Sequence, residues 1–93
     1  MLDRSVLNSI VLKVIDLLIQ KNADYGDSYF KLRNDFGKIS FVVRLVDKTE
    51  RLKNLAKKEP HFPSESEEDT IKDIIGYCLL ELYYRYCHNP SNE

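Results

Sequence analysis

The sequence predicts an all-α domain: a small four-helix bundle, three helices long and one short, built from 93 residues. Three observations carry this. Apolar residues recur at spacings of three, four and seven along most of the chain, and no segment alternates with period two for long enough to make a sheet. Gly26, Gly37, Pro60 and Pro63 divide the chain into segments of helical length. The composition, 43% hydrophobic and 31% charged, is that of one globular domain and excludes a disordered chain.

The first helix is expected over about residues 5–23, with Ser5 as N-cap and Leu7, Ile10, Val11, Val14, Leu17 and Leu18 along one side. Leu12 and Ile19 fall outside that stripe, so more than one face needs cover. Gly26 ends the helix. Asp27 or Ser28 caps a short second helix over about 28–36, and Gly37 supplies the left-handed residue that stops it. The third helix, about 40–58, carries Phe41, Leu45, Leu52, Leu55 and Ala56 and ends before Pro60 and Pro63. A polar connector, EPHFPSESEED, leads to the fourth helix over about 67–88, opened by a capping box of Ser64 with Glu67 or Ser66 with Asp69. Its acidic first turn suits the positive end of the helix dipole. Ile71, Ile74, Ile75, Cys78, Leu79, Leu82 and Tyr86 form its apolar stripe, with Leu80, Tyr84 and Cys87 on the opposite side. NPSNE reads as a frayed tail.

A chain this short removes only roughly 60–65% of its unfolded surface from water, so a single core is marginal. The fourth helix is apolar nearly all round in its second half, and a monomer has no place to bury both sides. The expected remedy is a symmetric homo-oligomer paired through the first and last helices. The competing expectation is that Tyr83, Tyr84 and Tyr86 snorkel at a monomer surface. A formal charge of −1, from 14 Lys and Arg against 15 Asp and Glu, gives no field to draw the protein onto a nucleic-acid polymer or a membrane. Lys13 and Asp16 interrupt the N-terminal apolar run and no cleavage site follows, so it is read as neither signal peptide nor membrane span. Cys78 and Cys87 lie about 13 Å apart along one helix, too far for a bridge, and no Cys or His spacing suits zinc. They read as reduced thiols of a cytoplasmic protein, and His61 and His88 as exposed histidines of the connector and tail.

Arg44, Lys48 and Arg51 fall at i, i+4 and i+7 of the third helix and make a basic ridge, with Asp47 at its edge. Two things can compensate three neighbouring cations. One is the acidic start of the fourth helix, Glu65, Glu67, Glu68, Asp69 and Asp73, in an interhelical salt-bridge network. The other is phosphate, for which Arg offers a planar fork and Lys a compact charge. Lys21, Asn22, Asp24 and Tyr25 can supply the facing wall, since a tyrosine ring stacks on a base and Asn or Asp hydrogen-bonds its edge or a ribose hydroxyl. The expected ligand-binding set is Lys21, Asn22, Asp24, Tyr25, Arg44, Lys48, Arg51, Asp69 and Asp73, with no catalytic residue and no cofactor.

KNADYGDS, then FG at Phe36 and Gly37, then RLVDKTERLKNL and ESEEDTIKDIIGY, in this order over residues 21–77, resemble the nucleotide-modification-associated domain family found widely in bacteriophages. The resemblance implies a phage protein in the cytoplasm of an infected bacterium, an all-helical fold and nucleotide-related chemistry. The matching positions are Lys21, Asn22, Asp24, Tyr25, Gly26, Ser28, Arg44, Asp47, Lys48, Arg51, Glu65, Asp69, Thr70 and Asp73. A more distant similarity is to the MazG-type all-α NTP pyrophosphohydrolases, whose ExxE and ExxD blocks hold magnesium. Here Asp47 and Glu50 give DxxE, with Glu50 across the helix from Arg44, and Asp69 and Asp73 are four apart rather than three. Asp69 and Asp73 share a face and, with Glu65 or Glu68, could hold one metal, although Arg44, Lys48 and Arg51 would compete with it.

Three functions are compatible with these residues. The favoured one is a nucleotide-binding homo-oligomer that sequesters a small phosphorylated ligand, resembling the small helical sponge proteins that trap host immune nucleotide signals. The second is a magnesium-dependent nucleoside triphosphate pyrophosphohydrolase, and the third a structural or partner-binding bundle. A tight binder needs charge-assisted contacts and burial of its ligand; a hydrolase needs a positioned water and metal besides.

Overall fold

A computed structural model describes residues 1–57 and 65–88, residues 65 and 66 by their backbone alone. Among the described residues are four helices and no strand: α1 (Arg4–Asp24), α2 (Ser28–Phe36), α3 (Ile39–Lys57) and α4 (Glu65–His88). No described helix is long and apolar enough to cross a membrane. The expected stops at Pro60 and Pro63, His61, the Ser64 cap and the NPSNE tail lie outside the described residues, as does the side chain of Glu65.

The helix ends differ from expectation in instructive ways. Asp3, not Ser5, is the N-cap of α1: its Oδ1 accepts from the Ser5 N–H at 2.8 Å, the Val6 N–H at 3.4 Å and the Ser5 hydroxyl at 2.6 Å. A carboxylate two residues upstream makes stronger bonds to those N–H groups than the serine hydroxyl can, and its charge suits the helix N-terminus. Asp27 does precede α2, but in the left-handed conformation (φ 60°, ψ 28°) and without a side-chain cap. Its backbone carbonyl accepts from the N–H groups of Phe30 and Lys31, while its carboxylate accepts from Asn22 Nδ2 at 2.6 Å. Gly37 stops α2 at φ 76°, ψ −165°, a region essentially confined to glycine, rather than in the left-handed helical conformation expected. α4 already runs from Glu65, so the backbone of Ser66 lies inside the helix rather than at its start.

α4 is the central helix, with α1 and α3 antiparallel to it on either side. Lys21 of α1 meets Asp73 and Leu18 meets Gly76; Lys48 of α3 also meets Asp73, and Arg44 lies over the ring of Tyr77. α2 is fastened to the second half of α4 by Glu81, which is only 3% exposed. Its carboxylate accepts from the Tyr29 hydroxyl at 2.8 Å, from Arg33 at 2.9 and 3.2 Å, and from Arg85 Nε of the next turn. Burial pushes the Glu81 carboxyl up, but these hydrogen bonds outweigh it and hold its pKa at about 2. Burial, and then the bond to that carboxylate, push the Tyr29 hydroxyl far above its ordinary value. Tyr84 is tied in beside it: its hydroxyl donates to Asn34 Oδ1 at 2.9 Å, Arg33 lies 4.4 Å from its ring centroid and the His88 ring stacks on it at 3.9 Å. His88 therefore closes α4 instead of belonging to a loose tail.

The face of α4 turned inward carries Thr70, Asp73, Tyr77, Leu80, Glu81 and Tyr84, so Leu80 and Tyr84, expected opposite the core stripe, point in. Much of the stripe itself points out: Ile71, Ile75, Leu82 and Tyr86 are 45, 37, 64 and 56% exposed. The physical reason lies in Asp73 and Glu81, whose partners Lys21, Lys48 and Arg33 sit on α1, α3 and α2 and rotate the helix to bring both carboxylates inward. On α1, Leu7, Ile10 and Val11 are exposed and Val14 is buried. On α3, Phe41, Leu45, Leu52 and Leu55 are half-buried and Ala56 is exposed; Ile39, Val42, Val43 and Val46 form a second apolar face in solvent. Among the described residues Val14 and Tyr29 alone make the buried apolar core. The chain exposes 7495 Å², where a closed monomer of this size exposes about 5,600 Å². Its radius of gyration of 15.0 Å likewise exceeds the roughly 12 Å of a compact chain of this length.

Candidate functional site

The turn between α1 and α2 is built by its own side chains. The N–H groups of Tyr25, Gly26 and Asp27 donate back to the carbonyls of Lys21, Ala23 and Asn22 at 2.9, 3.4 and 3.3 Å. Gly26 and Asp27 both take φ of 60°, free of cost for glycine and tolerated by aspartate when a local hydrogen bond, here from Asn22, holds it. Closure of this turn aims Lys21 across the bundle and leaves Tyr25 at the surface, 66% exposed.

Beneath the turn a half-open cavity of about 410 Å³ lies between α1, α2, α3 and α4. Its apolar wall is Val14, Leu17 and Leu18 of α1 with Leu80 of α4, and its aromatic wall is Tyr29 and Tyr77, stacked at 6.0 Å. Gly76 faces α1, where a Cβ would come to 3.4 Å from Leu18 Cδ1, an ordinary van der Waals contact. Lys21, Arg44, Lys48 and Lys72 also line it. Asp73 bridges two of them, with Oδ1 2.7 Å from Lys21 Nζ and Oδ2 3.2 Å from Lys48 Nζ. Burial pushes the Asp73 carboxyl up, but the hydrogen bonds and charges of both lysines outweigh it, so its pKa lies below the ordinary aspartate value; the same bond raises that of Lys21. Arg44 lies 5.6 Å from the Tyr77 ring centroid, and neither it nor Lys72 has a carboxylate partner among the described residues.

Six of the nine expected positions, Lys21, Asn22, Tyr25, Arg44, Lys48 and Asp73, therefore line one cavity. Asp24, Arg51 and Asp69 are exposed and off its wall. Arg51 lies two turns from Arg44 and beyond the level of Asp73, where the cavity ends; Asp69 lies one turn before Asp73 and reaches Lys21 only through its charge. Asn22 is partly committed to the turn, because its amide N–H donates to Asp27. Tyr29, Lys72 and Tyr77 were not expected there. Tyr77 lies four residues after Asp73 and so shares its face, a spacing that could have flagged it. Among the described residues no three His, Cys, Asp or Glu side chains converge as a metal-binding group.

Residues 21–83 match the family described as nucleotide modification associated domain 1. The chain belongs to this family. Comparison with curated proteins and with solved structures gave no match, and the MazG-type similarity is not shown. Within this nucleotide modification associated domain, the matched span begins at Lys21 and includes every cavity-lining residue except Val14, Leu17 and Leu18.

Proposed function

We propose that this nucleotide modification associated domain binds and sequesters a small phosphorylated nucleotide in the cavity, as part of a homo-oligomer and without a chemical step. The observation that carries the reading is the charge of the cavity. Four cations, Lys21, Arg44, Lys48 and Lys72, face one carboxylate, Asp73, leaving three positive charges beside tyrosine rings. Phosphate oxygens complete Arg44 and Lys72 and share Lys21 and Lys48 with Asp73, while a base stacks on Tyr25 at the mouth or meets Tyr77 further in. A protein of this chemistry in a phage would lower the free concentration of a nucleotide signal of its host. The test is incubation with nucleoside phosphates and cyclic nucleotides, with and without magnesium, followed by heat denaturation and analysis of the supernatant. Intact ligand returned in stoichiometric amount is expected; monophosphate and pyrophosphate overturn sequestration.

The hydrolase reading keeps one supporting observation, the pair Asp69 and Asp73 one turn apart on α4, of which Asp73 lines the cavity and Asp69 lies off its wall. For Asp73 to ligate magnesium it must leave both lysines, so that reading requires ligand phosphates to draw Lys21 and Lys48 away.

A further inference from the structure

We propose that the bare face of α4 packs antiparallel against the same face of a second copy, with the two-fold axis beside Cys78. This narrows the homo-oligomer of the preceding section to one surface and is independent of the nucleotide. Ile71, Ile75, Cys78, Leu82 and Tyr86 follow one another at spacings of four, three, four and four, which is the seam of a paired helix. The four large ones are exposed, Cys78 is half-buried, and no charged residue interrupts the line. The seam also matches its own reversal. In an antiparallel pair centred between Cys78 and Leu79, Ile71 meets the partner's Tyr86, Ile75 meets the partner's Leu82, and Cys78 lies within about 2 Å, measured along the axis, of its copy.

Surface area argues for a second copy as the occupant. The chain exposes roughly 1,900 Å² more than a closed monomer, an excess shared by the outer faces of α1, α3 and α4, and since an obligate homodimer buries about 1,000–2,500 Å² per chain, a second copy on the α4 face supplies cover on the scale that is missing. A chain whose buried apolar core among the described residues is Val14 and Tyr29 needs this cover in every molecule at all times, and only another copy is always present in equal amount. Such an interface is isologous, so the assembly contains an even number of chains.

Light scattering on the full chain should give an even multiple of the chain mass. A short bismaleimide should link two chains covalently in Cys87→Ser, which keeps Cys78, and not in Cys78→Ser, because Cys87 would lie about 25 Å from its copy along the axis. Leu82→Arg should lower the assembly's mass. If that variant fails to fold, the cross-linking pattern still decides. A folded monomer, an odd number of chains, or cross-linking through Cys87 and not Cys78 overturns the proposal, a monomer leaving the face to some other partner. Nucleotide retention, measured on the same samples, fails or survives separately and so tests the cavity alone.

Discussion

Glu81→Gln is the substitution whose effect follows most directly from the structure. The carboxylate is 3% exposed, accepts from Tyr29, Arg33 and Arg85, and titrates at about 2 in the fold against about 4.5 in an unfolded chain. That difference contributes about 3 kcal/mol at neutral pH. Because the folded value is the lower one, the contribution is complete above about pH 4.5 and is lost as pH falls toward 2; by pH 3 about 2 kcal/mol has gone. Glutamine keeps an acceptor for Tyr29 but presents an N–H group to the arginines, so Arg33, whose side chain is 13% exposed, keeps a half-buried charge without its anion. Urea denaturation followed by circular dichroism, at one protein concentration between pH 7 and pH 3, should show the variant less stable by about 3 kcal/mol at pH 7. The gap should close to about 1 kcal/mol at pH 3. A gap that stays constant across this range would refute the assignment of Glu81 as the buried anion that fastens α2 to α4. Nucleotide binding should weaken as well, because Tyr29 is both a partner of Glu81 and part of the cavity wall.

The other predictions concern the cavity and its turn. Arg44→Met should weaken nucleotide binding about 10- to 100-fold in titration calorimetry, the worth of a charge-assisted contact, and leave the far-ultraviolet spectrum unchanged; Arg51→Met should leave both binding and spectrum unchanged. Tyr25→Ala should cost about 1–3 kcal/mol of binding if the ring stacks on a base, with Tyr25→Phe close to the parent protein. Asp73→Asn frees Lys21 and Lys48, so the binder should gain affinity several-fold, whereas a magnesium-dependent hydrolase would lose turnover, read by pyrophosphate release. Gly26→Ala at φ 60° should lower stability by about 1 kcal/mol, seen as a reduced midpoint in thermal unfolding.

How much of this was legible in the sequence differs from residue to residue. Lys21 and Tyr25 could be singled out because the turn at Gly26 and Asp27 gives them no local purpose; Asn22, singled out on the same ground, both lines the cavity and holds Asp27 in the turn, and Asp24 lies off the cavity wall. Arg44 and Lys48 share a face by helical spacing alone, and the structure puts that face against α4. Arg51 has the same spacing and misses the cavity, because periodicity orders residues around a helix and says nothing of where its neighbour ends. Lys72 is not legible in the sequence for the converse reason, since its significance depends on how α1 and α3 flank α4, whereas Tyr77 shares a face with Asp73 by spacing alone.

The sequence by itself determined that the chain is helical, that two of its breaks fall at Gly26 and Gly37, and that its apolar surface exceeds what one small bundle can cover. These are local properties, set by spacing, glycine conformation and composition. Only the tertiary structure decided which side of α4 faces inward. Two carboxylates, half-buried Asp73 and buried Glu81, each meet two cations drawn from the surrounding helices and from α4 itself, and satisfying these charges outweighs hiding a stripe of isoleucine and leucine. That rotation places Asp73 and Tyr77 in the cavity and turns Ile71, Ile75, Leu82 and Tyr86 to the outside. Hydrophobic periodicity could not foresee it, because the pairing energy belongs to residues about 50 positions apart in the chain.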